Sequence, residues 1–190
     1  AQFGNALNAP ATIFVDEPFT AGTVRFDHSV SYTIAAWNDQ KLLLDAGDPA
    51  RPAQLIVVSG RHTISAGLVL ASDLAVSVAG GQSLTIHGLI ESLEPRTVTL
   101  SGTGLLVIGQ PIRLPAESRL IAQSGTTSLL GNLGLPDAPT MFLSTAGVGT
   151  LVELNASQDL LGVVVGPASV VRVGMPFGVV EATSVHTTGG

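Results

Sequence analysis

The residues of this sequence best able to do chemistry are acidic side chains that lie close together along the chain. There are three such pairs: Asp16 with Glu17, Asp45 with Asp48, and Glu91 with Glu94. Glycoside hydrolysis needs two carboxyl groups facing one groove, roughly 5–10 Å apart. Asp16 and Glu17 are adjacent, and adjacent residues of a strand point to opposite faces. Asp45 and Asp48 lie in DAGDP, which is typical of a turn made by Asx hydrogen bonds and proline. We therefore expect corners of the fold here, and predict no catalytic residue and no enzyme activity.

The histidines are the other candidates for chemistry. They are His28, His62, His87 and His186. A metal site needs three or four converging ligands, whereas these residues fall in different parts of the chain. His62 precedes a Thr-Ile pair and His87 follows one, so the two are not equivalent. We expect both on the outer face of the fold and predict no bound metal and no cofactor.

Other motifs give equally little chemistry. The absence of cysteine excludes disulfides, thiol catalysis and thiolate metal sites. The DAGD turn supplies too few oxygens for a calcium site. Asn155-Ala156-Ser157 matches a glycosylation sequon, but we interpret it as a corner.

The composition narrows the class of partner. Charged residues make up 12% of the 190 residues, with one lysine, Lys41, and a net charge of −6. Binding to a phosphate backbone needs clustered cations, which are absent, so nucleic acid is excluded. The longest apolar runs we find, such as 55–58 and 105–108, are far shorter than the roughly 20 residues of a membrane span, and we expect no membrane insertion. The sequence starts with Ala1-Gln2-Phe3, which we interpret as a secreted form after removal of a signal peptide.

The elements that would have to position any site are short strands. No window keeps a helical apolar stripe for three turns, while runs rich in Val, Ile, Leu and Thr recur between turn residues. HTISAGLVL from residue 62 and SLTIHGLI from residue 83 repeat a Thr-Ile pair, a glycine and an aliphatic pair at an offset of 21 residues. Eight segments align in this way: 11–30, 31–52, 53–72, 73–92, 93–117, 118–137, 138–159 and 160–182.

A near-constant period is the signature of stacked units. The sequence predicts an all-β fold, a single-stranded parallel β-helix (β-solenoid) of about eight rungs of 20–25 residues, with Gly67 and Gly88 turning the coil. A β-sandwich is the alternative, although it gives no reason for the period. We predict an N-terminal arm or cap at 1–10, the solenoid domain at 11–182 and a flexible C-terminal tail at 183–190. Neither end offers an amphipathic cap helix.

The sequence also resembles the autotransporter-associated β-strand repeat region of large secreted bacterial proteins, many of which carry a PEP-CTERM sorting tail. The resemblance covers about residues 10–107. It rests on VRFD followed by SYTI in 24–34, on SGRHTISAGLVLASD at 59–73 and on VAGGQSLTIHGLI at 78–90. After Glu91 the sequence departs from the family pattern, and only 97–107 echo its next rung. The resemblance implies a secreted β-helical scaffold or surface protein; the family's anchoring mechanism does not carry over.

These observations lead to three hypotheses of function. A solenoid without caps presents open strand edges, and a head-to-tail contact that does not close makes a filament. We therefore expect an extracellular or cell-surface structural protein whose main partner is itself. The first alternative is a monomeric adhesin or carbohydrate-binding solenoid with a cell-surface polysaccharide as partner. The second is a β-helical polysaccharide-degrading enzyme.

Overall fold

The computed structural model describes residues 1–4, 8–135, 140–174, 180–182 and 185–187, and within them every element is a β-strand. Twenty-three strands, β1–β23, form three sheets in which all neighbouring strands are parallel. The chain visits the sheets in turn, so that each strand pairs with strands about one rung earlier and later. This is the parallel β-solenoid that the sequence predicts, and a sandwich is excluded.

Sheet A is the largest sheet and has ten strands. Its members are β1 (Gln2–Phe3), β4 (Thr23–Asp27), β7 (Ala53–Ser59), β10 (Leu74–Val78), β13 (Thr97–Ser101), β16 (Ser118–Ala122), β18 (Met141–Thr145), β20 (Gln158–Val165), β22 (Val180–Ala182) and β23 (Val185–Thr187). The last two pair with successive parts of β20. Of the predicted tail at 183–190, the structure describes only β23, and the other residues lie outside the described part of the chain.

Sheet B has eight strands, and each of the eight predicted segments contributes one of them. They are β2 (Ala11–Val15), β5 (Tyr32–Ala36), β8 (Arg61–Ile64), β11 (Ser83–Ile86), β14 (Leu105–Ile108), β17 (Thr126–Leu129), β19 (Leu151–Leu154) and β21 (Val170–Val173). From the first strand to the last the chain makes about seven turns.

Sheet C has five short strands and closes the third side over the first part of the rod. They are β3 (Phe19–Ala21), β6 (Lys41–Leu44), β9 (Gly67–Leu70), β12 (Ile90–Glu91) and β15 (Ile112–Arg113). Inward side chains of all three sheets alternate with outward ones, and the inward set forms one apolar core of Val, Leu, Ile and Ala with few rings.

The register corrects the predicted period. Thr63 pairs with Thr85 and Ile64 with Ile86, so the Thr-Ile strands do stack, but one position beyond the predicted offset. Gly67 and Gly88, which the predicted offset aligns, are therefore not equivalent. Gly67 starts β9, whereas Gly88 stacks on Ala66, where an added Cβ would collide with the Ala66 carbonyl oxygen. Gly88 is needed for this close approach of two backbones.

The second rung breaks the near-constant period because it is longer than the rung that follows it. Across this rung Thr33 pairs with Thr63, and Thr23 pairs with Gln54. Across the next rung Thr63 pairs with Thr85, and these two residues are closer together in sequence. The added residues form two loops, a tight turn at 37–40 and a longer corner at 45–52. In the tight turn Asn38 and Asp39 both have positive φ, and the amide of residue 40 donates to the carbonyl of residue 37.

Candidate functional site

The three acidic pairs do not converge on one catalytic groove. Asp16 and Glu17 are exposed at the N-terminal end of the rod, after β2. The Glu91 carboxylate in β12 bonds the Lys41 ammonium of β6, and Glu94 Oε2 accepts from Arg96 at 2.8 Å.

The turn prediction at DAGDP is confirmed in detail. Asp45 Oδ1 accepts from the Gly47 amide at 2.9 Å, and Asp48 Oδ1 accepts from the Ala50 amide at 2.9 Å. Each carboxylate thus accepts a hydrogen bond from its own loop and stabilises that loop. The sequon residue Asn155 makes a bond to the neighbouring rung, because its Nδ2 donates to Ser128 Oγ at 2.9 Å.

A polar groove runs beside this corner, with a volume of about 430 Å³. The charged side chains that line it are Asp45, Asp48, Asp73, Glu94 and Arg96. Asp73 Oδ1 accepts from the Thr97 amide at 2.9 Å, and the Nε of Arg96 is buried without a hydrogen-bond partner among the described residues. Within the same residues no three His, Cys, Asp or Glu side chains are placed to hold a metal ion.

The expectation of an outward His62 is wrong. His62 is 2% exposed and occupies an inward position of β8, where the next rung has Leu84. His87 is exposed after β11, as expected, and the side chain of His186 lies outside the described residues. Alternation along RHTI, with Ile64 inward, is the sequence signal that could have placed His62 inside.

His62 belongs to an N-terminal aromatic cluster that also contains Phe3, Phe26 and Tyr32. The His62 ring centroid lies 4.5 Å from that of Phe26 and 5.9 Å from that of Tyr32, with the planes nearly parallel. Phe3 of β1 packs on Phe26 at 5.2 Å and on Tyr32 at 5.4 Å. The cluster fills the A–B corner of the solenoid from β1 to β8.

Gly60 makes room for this cluster. Its φ is +95°, and an added Cβ would collide with the His28 carbonyl oxygen and lie 2.7 Å from His62 Nε2. Any larger residue would be strained by the backbone conformation and would also displace the imidazole.

In the part of the chain that the structure describes, the N-terminal end of the solenoid is open at sheets B and C. A mainly apolar cavity of about 260 Å³ lies there, lined by inward residues of the first two rungs, among them Phe3, Ile13, Val24, Ile34 and Leu42. In the described part of the chain β2 and β3 each have a strand on one side only. Sequence reasoning predicted an N-terminal arm or cap at 1–10 and no amphipathic cap helix at either end, but it did not identify the residues that line this opening.

Exposed aromatic side chains surround this opening. Phe14 is 51%, Phe19 48% and Trp37 54% exposed, and the Phe14 and Trp37 rings meet edge to face at 5.6 Å. We call Ile13, Phe14, Phe19 and Trp37 the open-end patch. Single exposed apolar residues are ordinary, but a contiguous patch marks an interaction surface.

Comparison with models of protein families, with curated proteins and with solved structures finds no match to this chain. The resemblance to autotransporter-associated repeats therefore stays a prediction from residues 10–107. No helix in the described residues is long and apolar enough to cross a membrane.

Proposed function

We propose that this chain is a secreted structural β-solenoid on the outside of a bacterial cell, and that copies of it stack head to tail into a filament or surface layer. The observation that carries the proposal is the open-end patch beside a mainly apolar cavity. A parallel strand with a free edge can pair with another strand, and burial of apolar surface adds about 25 cal/mol per Å².

The opposite end offers a matching surface. Val173 of β21 stacks on Leu154 of β19, in the inward column of sheet B, yet it is 44% exposed. Val170 is 51% exposed. Among the described residues no strand of sheet B covers β21. Within the described residues both ends of this sheet therefore present a free strand edge, with the inward side chain of Val173 partly uncovered at one end and that of Ile13 at the other.

The columns of sheet B fix how two copies would join. Thr12, Thr33, Thr63 and Thr85 stack in one outward column, which continues to Arg172. Extending it by one step places Arg172 of one copy beside Thr12 of the next. The inward column then places Val173 beside Ile13, apolar against apolar. The junction brings no like charges together in these two columns, and its geometry is open rather than closed.

Sedimentation velocity and electron microscopy over a range of concentrations test the proposal. We expect rods that lengthen with concentration and show an axial repeat near 4.8 Å. Phe19→Asp, in the open-end patch, should leave the protein monomeric. Leu93→Asp is the matched control, since Leu93 is 98% exposed on a loop in the middle of the chain, and it should assemble normally. Monodisperse wild-type monomers at every concentration would refute self-assembly.

A carbohydrate-binding solenoid is the second candidate, favoured by the polar groove beside DAGDP. Its carboxylates can accept from sugar hydroxyls, and the unpartnered Nε of Arg96 is a buried donor beside it. Binding of a cell-surface polysaccharide by monomers, lost in Arg96→Leu and kept in Arg119→Leu, would favour this function. Because the groove carboxylates hold loops or pair with Arg96, we expect no release of reducing sugar.

A further inference from the structure

The His62 imidazole is held in its neutral form by two backbone groups. The Tyr32 amide donates to Nδ1 at 3.1 Å, so Nδ1 carries no proton. The proton is then on Nε2, which donates to the Ser59 carbonyl at 2.6 Å. A second proton on Nδ1 would face the Tyr32 N–H, and the donor pair would lose its hydrogen bond inside a buried site.

The cluster around His62 also holds the N-terminal strand. Phe3 rests on the rings of Phe26 and Tyr32, and the Tyr32 hydroxyl donates to the Gly4 carbonyl at 2.7 Å. The Arg25 amide of β4 donates to the carbonyl of the first residue at 2.9 Å. Strand β1 is only two residues long, so its docking depends on these ring contacts more than on its ladder.

Few ionisable groups face the imidazole. From the segment before β5 it meets His28, and from β5 it meets Tyr32. Arg25 and Asp27 of β4 pair with each other on the outer face, and Arg61 of β8 is exposed. From β7 it meets the Ser59 carbonyl, and Leu84 of β11 stacks on it. No carboxylate of these packed elements is therefore placed to stabilise an imidazolium.

We propose that protonation of His62 releases β1 from β4 and so opens the edge of sheet A to a second copy of the chain. The inference rests on the proposed head-to-tail assembly and adds its regulation. With β1 docked, a strand of this chain already covers part of β4. With β1 released, β2, β3 and β4 all present free edges at the same end.

The direction of the pH effect follows from burial. Desolvation lowers the pKa of His62 below its usual 6.5, and the nearby His28 lowers it further, while hydrogen bonds to Ser59 and His28 oppose this. The proposed release of β1 brings the imidazole into contact with water, and a hydrated imidazole binds the proton more strongly than the buried one. Docking is therefore fully stabilised above about pH 6.5 and weakens as the pH falls below it.

Hydrogen exchange of the Arg25 amide in dilute, monomeric protein tests the release. The Arg119 amide is a matched internal control, because it donates to the Arg96 carbonyl within sheet A at 3.0 Å. We expect the Arg25 protection factor, relative to that of Arg119, to fall by up to about tenfold per pH unit below pH 6.5, the slope of one linked proton. The fall should level off near the pH at which the His62 ring titrates by NMR in the docked protein.

Two variants separate His62 from other causes. His62→Leu, which copies Leu84 of the next rung, should make the protection ratio independent of pH. His28→Gln retains His62, the proposed titrating group, and should keep the pH dependence. A constant ratio in the wild type while the His62 ring titrates would overturn the proposal, as would the same pH dependence in His62→Leu.

The regulatory link is tested separately by assembly at pH 5.0 and pH 7.5. Release of β1 together with faster polymer growth at pH 5.0 supports the proposal. Release without any change in growth overturns the regulatory role. If β1 is released at pH 5.0 but no polymer forms at either pH, the proposed assembly is refuted, whereas the release of β1 by protonation of His62 still stands.

Discussion

The middle rungs, residues 53–113, and the N-terminal rungs, residues 1–44, fill the core of the solenoid with different kinds of side chain. In the middle, sheets A, B and C are all present, the rungs are nearly equal in length, and no Phe, Tyr or Trp occurs. In the N-terminal rungs six of the eight aromatic residues of the chain occur, and some of them fill the corner beside His62.

The contrast shows what a neighbour on both sides provides. In a middle rung the inward side chains are covered above and below by side chains of similar size in the neighbouring rungs. Columns of aliphatic side chains are therefore enough to fill the core. Within the described residues β2 and β3 of the first rung have a neighbouring strand on one side only, and the inward residues Ile13 and Phe3 line a cavity. Rings fill part of that space, while Phe14 and Phe19 remain half exposed.

Isoleucine truncations should show the largest difference between the two regions. Ile86→Ala removes a side chain that is fully buried in β11 and should lower the free energy of unfolding by about 2–5 kcal/mol. Ile13→Ala removes a partly buried side chain at the open end and should cost about 1 kcal/mol or less in the monomer. Urea denaturation measures both; equal losses would mean that the end is packed like the middle.

Two glycines test the corrected register. Gly88→Ala places a Cβ against the Ala66 carbonyl, where only backbone can give way, and should cost about 1–3 kcal/mol. Gly67→Ala meets the flexible Lys41 side chain, with its Cγ at 3.2 Å, and should change stability by less than about 0.5 kcal/mol. Equal effects in thermal melts would restore the alignment of the two glycines as equivalent turns.

The smallest expected effect concerns the ion pair that joins the two regions. Lys41 of β6 reaches Glu91 of β12, with side chains 46% and 31% exposed. Exposed pairs contribute about 0–1 kcal/mol, so Lys41→Met should cost no more than this and less in concentrated salt. Arg51→Met, which removes a pair that is 80% exposed on the arginine side, is the control. A loss for Lys41→Met well above the range of exposed pairs, with none for Arg51→Met, would give the pair a structural role.

The fold could be predicted from the sequence because two of its features are visible in short stretches of sequence. These are the alternation of apolar and polar residues along each strand and the recurrence of strand segments at a near-constant spacing. Each predicted segment contains one strand of sheet B, including the Thr-Ile strands at Thr63 and Thr85. The small error in offset arose because Gly67 and Gly88 were aligned as equivalent turns. A close approach of two backbones, as at Gly88, leaves no mark in sequence that distinguishes it from a turn.

The candidate site was less predictable. The Asx turn at Asp45 and Asp48 follows from side-chain chemistry within a few residues, and it was predicted correctly. The inward position of His62 follows from the alternation along RHTI, but the hydrogen bonds that hold its ring depend on partners far away in sequence, such as Tyr32. The open-end patch depends on which of the described strands have a neighbour on one side only. Neither the partners of the ring nor the patch is a local property, so neither appears in a pattern of residue types.

The central claim is that the columns of sheet B continue from one copy into the next. The chain has no cysteine, so the double variant Thr12→Cys, Arg172→Cys introduces a unique pair. Parallel neighbours about 4.8 Å apart lie within reach of a disulfide. Under mild oxidation we predict a ladder of covalent multimers on a non-reducing gel that reductant collapses, whereas Thr12→Cys with Ser128→Cys, a mid-rod position of the same column, gives none beyond a dimer. The absence of a ladder from the Thr12–Arg172 pair, or an equal ladder from the control pair, would contradict the account.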